Sequence, residues 1–108
     1  MNIELAKQIV ATYEKHSWNL RRVLVTSLSE DTGQKLAEAF PDAAIRDSEI
    51  DALWFARPSH GGREAWELRL IAEQPFALFE AFEADESEED REEVRREMEN
   101  KMRECAVK

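Results

Sequence analysis

Residues 51–83 constrain the fold more than any other part of the chain, because three short apolar runs follow one another there. The runs occupy residues 51–57, 64–71 and 76–82. A Pro-Ser-His-Gly-Gly-Arg sequence separates the first two runs, and a connection ending at Pro75 separates the second from the third. Short apolar runs joined by Gly- and Pro-containing turns are typical of consecutive antiparallel strands. We therefore predict a three-stranded β-meander whose first hairpin turns at residues 59–62.

The middle run has the alternation of a strand that is buried on one face. Trp66, Leu68 and Leu70 share one side, whereas Glu67 and Arg69 share the other. The two flanking runs place apolar side chains on both sides. Either both faces of the sheet are covered, or the exposed face is a contact surface.

Helical periodicity precedes the meander. Apolar residues recur at steps of three and four over residues 2–17, which predicts an amphipathic helix. The β-branched residues of segment 20–26 favour a fourth strand. A short helix is predicted at 34–40, since Ser29 or Asp31 offers a cap before it and Pro41 follows it. Residues 42–50 fit either an edge strand at 43–46 or a connection into the meander, and we predict a loop there.

The last part of the chain predicts an acidic helix over residues 86–105. Ser87, with Asp90 three positions later, has the spacing of a capping box. The apolar stripe of this helix is narrow and is formed by Val94, Met98 and Met102, so we expect a peripheral helix that docks on the sheet or on a second subunit. The predicted fold is one α+β domain, residues 1–108, with a three- to four-stranded antiparallel sheet covered by three helices.

Composition excludes several classes of function. The net charge of −9 over 108 residues disfavours nucleic acid and anionic membranes as partners. No apolar run approaches the roughly 20 residues needed to span a bilayer. The single cysteine, Cys105, cannot form an intramolecular disulfide, which favours a cytoplasmic location. In composition the chain is similar to small dimeric secretion chaperones, although no motif carries this likeness.

The loop at residues 59–63 is the segment with most of the features of a site. Ser59, His60 and Arg63 supply a hydroxyl, an imidazole and a guanidinium beside two glycines, a combination that can hold a small anion. The same residues also suit an ordinary hairpin connection. Trp54 and Trp66 are either core residues or, if exposed near Arg57, a binding hot spot. The candidate binding set therefore consists of these two tryptophans with Arg57, Ser59, His60 and Arg63.

Two functions remain open. The first is a protein-interaction module, adaptor- or chaperone-like, that binds a protein partner or a second copy of itself, with Val94, Met98 and Met102 as candidate interface residues. The second is a small ligand-binding protein or enzyme with a pocket near residues 59–63. Enzymatic activity is the less favoured, because no catalytic constellation surrounds Ser59 or His60.

No metal or cofactor is predicted, since His16 and His60 lack neighbouring ligands at a recognised spacing and the acidic run lacks that of a calcium loop. We expect chelators, zinc and calcium to leave the melting temperature unchanged. A metal present at a hundredfold excess over its Kd would add about 2.7 kcal/mol of stability. A reproducible shift in a thermal melt after adding either metal would contradict this prediction.

Overall fold

A five-stranded sheet with helices on both faces makes up the part of the chain that the computed structural model describes, residues 1–72 and 74–106. Three helices and five strands follow the order αβαββββα. Glu73, in the predicted second turn of the meander, lies outside the described residues. The bounds are α1 Ile3–Lys15, β1 Asn19–Thr26, α2 Glu30–Ala39, β2 Ala44–Ser48, β3 Ala52–Pro58, β4 Glu64–Leu70, β5 Phe76–Phe82 and α3 Glu88–Ala106.

The strands lie in the order β2-β1-β3-β4-β5. Strands β3, β4 and β5 form the predicted antiparallel meander, and β1 pairs with β3 in the antiparallel sense. The predicted α+β class with three helices is confirmed. The predicted sheet of three or four antiparallel strands is wrong, because the sheet has five strands in the described residues and β2 pairs with β1 in parallel.

The fifth strand, β2, lies in the segment predicted to be a loop. Ile45 is its one large apolar side chain, and it is only partly buried. The strand forms because α2 returns the chain alongside β1, where residues 44–48 pair with residues 22–26. Local sequence carries little information about such an edge strand, whose structure depends on a distant neighbour.

The centre of the sheet is buried on both faces. Residues 52–56 of β3 are all buried. Phe55 and Val23 face α1 and α2, where they pack with Val10 and other apolar side chains. Trp54 lies on the opposite face, in the cluster covered by α3. The protein therefore has a helix–sheet–helix layering, with one apolar core on each side of β3.

Strand β1 contains a β-bulge that changes which side chains face each core. Leu20 pairs with Phe55 and Arg22 pairs with Trp54, so Arg21 is the extra residue between them. The bulge directs Leu20 toward the α1 side and Arg22 toward α3. An uninterrupted strand would put residues 20 and 22 on the same face.

Side-chain caps define where the helices begin. Asn2 accepts a hydrogen bond from the Leu5 amide, and Ser29 accepts one from the Thr32 amide. Ser87 Oγ accepts one from the Asp90 amide at 3.1 Å. Each cap satisfies an amide that has no partner within the helix. The middle helix begins earlier than predicted, at Glu30, because Ser29 rather than Asp31 is its cap.

Helix α3 lies on the sheet through a small number of apolar side chains. Met98 and Met102 are buried in the core on this side, and Val94 packs against them while Cys105 is exposed. The Trp54 indole N–H donates to Glu99 at 2.9 Å. Among the described helices, including this one, none combines the length and the apolar character that a bilayer crossing requires.

We expect Met102→Ala to destabilise the protein by about 2–5 kcal/mol, because truncating a fully buried methionine removes apolar contacts and leaves a cavity under α3. Cys105→Ala is the matched control on the same helix, and its exposed side chain should change stability by less than about 0.5 kcal/mol. Urea denaturation of both variants measures the difference. If the two variants had equal free energies of unfolding, α3 would contribute little to the core.

Candidate functional site

The two tryptophans of the candidate binding set lie together beneath α3. Trp54 and Trp66 are buried, and their ring centroids are 5.9 Å apart in an edge-to-face arrangement. The Trp66 indole N–H donates to Glu64. Both rings belong to the core on the α3 side of the sheet, so neither is an exposed tryptophan of the kind that marks a hot spot.

Arg57 lies on the opposite face from these tryptophans. Its guanidinium donates to the His16 carbonyl at 2.9 Å and lies 4.5 Å from the Trp18 ring centroid. Trp18 is itself only 8% exposed. Arg57 therefore fastens the end of α1 to the sheet, and it does not share a cavity with Trp54 or Trp66 in the described structure.

The loop at residues 59–63 is a tight hairpin connection. The Ser59 amide donates to the Arg63 carbonyl at 2.8 Å, and His60 begins a single 3-10 turn. Gly61 and Gly62 have φ values of +69° and +76°, a conformation that favours glycine. Arg63 forms an ion pair with Glu83 at 2.8 Å. The side chains of the loop are exposed, and none of the four cavities found among the described residues includes one of them.

The three candidate interface residues of α3 face the sheet of the same chain. Met98 is 6% exposed and Met102 is fully buried, while Val94 is partly buried beside them. Their apolar atoms are therefore occupied by packing within the chain.

An exposed apolar surface lies on β5, the edge strand that follows β4. Ala77, Phe79 and Ala81 are exposed on the α1 side of this strand, and we call these three residues the β5 surface. Phe79 is 57% exposed, and its ring meets only the edge of Trp18, with centroids 6.4 Å apart. Phe76, at the beginning of the strand, is 39% exposed. Helix α1 packs on β1 and α2 packs on β2, so the β5 surface extends beyond both helices.

The two edges of the sheet differ in how they are protected. Arg46 and Asp47 are exposed on β2, whereas Glu80 is the one charged residue of β5. Charged side chains on an edge strand oppose pairing with another chain. The β5 edge has little of this protection and also carries the largest exposed apolar side chain in the described residues.

A second concentration of polar side chains lies under the beginning of α3. Arg21, Arg22, Arg91 and Arg95 surround Trp66, and we call these four residues the arginine cluster. The Arg95 guanidinium lies 3.8 Å from the Trp66 ring centroid, and those of Arg21 and Arg22 lie 5.2 and 5.5 Å away. Arginine stacks well on an aromatic face, which makes Trp66 the platform of the cluster.

Carboxylates neutralise part of this charge. Glu92 accepts two hydrogen bonds from Arg22, at 2.9 and 2.7 Å. Arg95, only 1% exposed, donates to Glu88 at 2.6 Å and lies 3.5 Å from Glu92. The hydrogen bonds from Arg22, with its charge and that of Arg95, lower the pKa of Glu92 despite the opposing effect of burial. Glu92 is therefore the anionic link between β1 and α3.

On the α1 side of the sheet, the pKa of Tyr13 is shifted upward, in the opposite direction from that of Glu92. Tyr13 stacks on Phe55 with ring centroids 3.9 Å apart, and its hydroxyl donates to Glu67. Burial, followed by this hydrogen bond and the negative charge of Glu67, raises the pKa of Tyr13. The neutral phenol is a fixed donor between α1 and β4, which indicates a structural role.

Comparison of the chain with known proteins found no relative. No family model, no curated protein and no solved structure matches the chain. Function has to be inferred from the geometry of the β5 surface and the arginine cluster.

Sequence reasoning indicated one of these two regions and missed the other. Apolar residues on both faces of segment 76–82 indicated either that both faces are covered or that one is a contact surface, and Phe79 is exposed in the structure. The arginine cluster was missed, although adjacent Arg21 and Arg22 inside an apolar strand were a signal. Their convergence with Arg91 and Arg95 depends on how α3 crosses the sheet.

We expect Glu92→Gln to lower stability by about 1–3 kcal/mol at neutral pH, because glutamine has no charge and only one oxygen to accept the two hydrogen bonds of buried Arg22. Because folding lowers the pKa of Glu92, its contribution is present above the ordinary glutamate pKa of about 4.3 and is lost as the pH falls through the folded-state pKa. The difference from the wild type should therefore shrink in acid.

Urea denaturation at neutral and acidic pH measures this change. Glu93→Gln, at an exposed position on the same helix, controls for removing one negative charge from α3. A stability difference for Glu92→Gln that stays constant across this pH range, or one that Glu93→Gln reproduces, would contradict the assignment.

Proposed function

We propose that this protein is an interaction module that binds another polypeptide strand along β5. The observation that carries the proposal is the 57% exposure of Phe79 on an edge strand with a single charged residue. Edge strands present unpaired backbone donors and acceptors, and an added strand satisfies them. The cytoplasmic location and the absence of catalysis stay predictions.

Two contributions would stabilise such a complex. Backbone hydrogen bonds along the seven residues of β5 would align the incoming strand. Burying an exposed phenylalanine contributes up to about 1.5–3 kcal/mol, and the neighbouring alanines leave room for a large side chain to lie beside the Phe79 ring. An aromatic anchor surrounded by small residues is a common arrangement at the centre of protein interfaces.

The occupant that best fits this edge is β5 of a second copy. An antiparallel pair centred on Phe79 brings the two Phe79 side chains beside each other and sets Ala77 opposite Ala81. Glu80 then lies opposite Leu78, so no like charges face each other across the new pair. A pair centred on Glu80 would instead oppose two carboxylates, which disfavours that register.

We expect the wild type to dimerise and Phe79→Glu to weaken the dimer by about a hundredfold or more, because each dimer loses two buried rings and gains two facing charges. Sedimentation velocity over a range of concentrations measures the equilibrium. Ala37→Glu adds the same charge at an exposed position of α2 and should leave dimerisation unchanged. Circular dichroism should be the same for both variants and the wild type.

A wild type that stays monomeric at every concentration would contradict pairing with a second copy. A dimer that Phe79→Glu and Ala37→Glu affect equally would contradict the use of β5. A dimer lost only with Phe79→Glu supports pairing along β5.

A further inference from the structure

The arginine cluster borders a cavity that no step of the proposed interaction uses. The cavity has a volume of about 470 Å³ and lies between β1, the beginning of β4 and the first half of α3. Its lining contains all four arginines of the cluster, Trp66 and Ala44, and the carboxylates of Asp42, Glu64 and Glu88. Its volume falls within the range of small-molecule sites, about 300–1,000 Å³.

Four arginines outnumber the three carboxylates in the lining of this cavity, although the chain as a whole is acidic. Four of the 15 basic residues converge here, in a protein with a net charge of −9. Stacking on Trp66 restricts three of the guanidinium groups before any ligand arrives. Preorganised arginines recognise the paired oxygens of phosphate and carboxylate groups, and lose less entropy on binding than flexible lysines do.

Hydrogen-bonding capacity in the cluster exceeds what its own carboxylates use. The buried Nε atoms of Arg91 and Arg95 have no hydrogen-bond partner among the described residues. Within the same residues, Arg21 has no carboxylate within 4.0 Å, although Arg22 and Arg91 each have one and Arg95 has two. An arginine offers five N–H donors, so the cluster can bind a further anion.

Glu88 holds the position that such an anion would take. Its carboxylate lies 2.6 Å from Arg95 Nη1, yet its side chain is 70% exposed, whereas Arg95 is 1% exposed. Glu88 is the first residue of α3, so its side chain can turn into solvent without unwinding the helix. The buried Arg95 charge needs a counterion, and a dianion would supply more charge than one carboxylate.

From this geometry we propose that the arginine cluster is a binding site for the phosphate group of a small molecule, which displaces Glu88 from Arg95. Arg95 and Arg91 bind the phosphate from α3, and exposed Arg21 closes the cavity rim from β1. The proposal is independent of β5 and holds for a monomer or a dimer.

The test is a titration with inorganic phosphate and, in parallel, with ribose 5-phosphate, each at constant ionic strength against sodium chloride. Two-dimensional NMR of the backbone amides and the arginine Nε–H groups reports which residues respond. We expect shifts at Arg21, Arg22, Arg91 and Arg95. Tighter binding of the sugar phosphate identifies an organic phosphate as the ligand, and equal affinity would overturn the small-molecule part of the proposal.

Two variants separate binding from a structural role of the network. Glu88→Gln removes the competing carboxylate and should tighten phosphate binding up to about fivefold. Arg21→Ala changes an exposed side chain, so the fold is kept, and should weaken binding about tenfold. Arg96→Ala removes an exposed arginine of α3 that does not line the cavity, and it should leave the affinity unchanged.

Three results would overturn the proposal. Phosphate shifts that sodium chloride reproduces would indicate general screening of charge. Equal weakening by Arg21→Ala and Arg96→Ala would indicate attraction to any surface arginine. A Glu88→Gln variant that is less stable but binds phosphate no more tightly would mean that Glu88 only neutralises Arg95.

Discussion

The burial of both faces of β3 is the constraint on which the rest of the structure depends. Trp54 and Phe55 are adjacent in sequence and point to opposite sides, and both are fully buried. Each ring needs its own cover, so the sheet requires α1 and α2 on one side and α3 on the other. Helices α1 and α2 pack on β1 and β2, so on their side of the sheet Ala77, Phe79 and Ala81 of β5 remain exposed.

Helix α3 is held on the sheet by two kinds of interaction, apolar packing and ion pairs. Its apolar stripe is narrow, and the acidic residues along it repel one another. Arg95 offsets this, since it lies buried on Trp66 and pairs with Glu88, while Glu92 pairs with Arg22 of β1. A buried charge is stabilised only when it is paired, so this network specifies where α3 crosses the sheet more than it adds to stability.

The same arrangement separates two proposed functions in space. The β5 surface lies on the α1 side and is apolar, whereas the arginine cluster lies on the α3 side and is polar. Strand β4 connects them, because Trp66 faces the cluster and the neighbouring Glu67 pairs with Phe79 across the sheet. Strand addition at β5 therefore leaves the cavity open, and a phosphate in the cavity leaves β5 accessible.

The sequence by itself determined the features that depend on residues close together in the chain. These are the alternation of the meander, the helix α1 and the caps at Ser29 and Ser87. Only the tertiary structure decided the position of β2, since that strand is stabilised by pairing with β1, from which α2 separates it in the sequence. It likewise decided which apolar face of β5 stays exposed, because coverage depends on where α1 ends. The arginine cluster required the β1 bulge and the crossing of α3, which bring together side chains 70 residues apart, and no local period encodes such a contact.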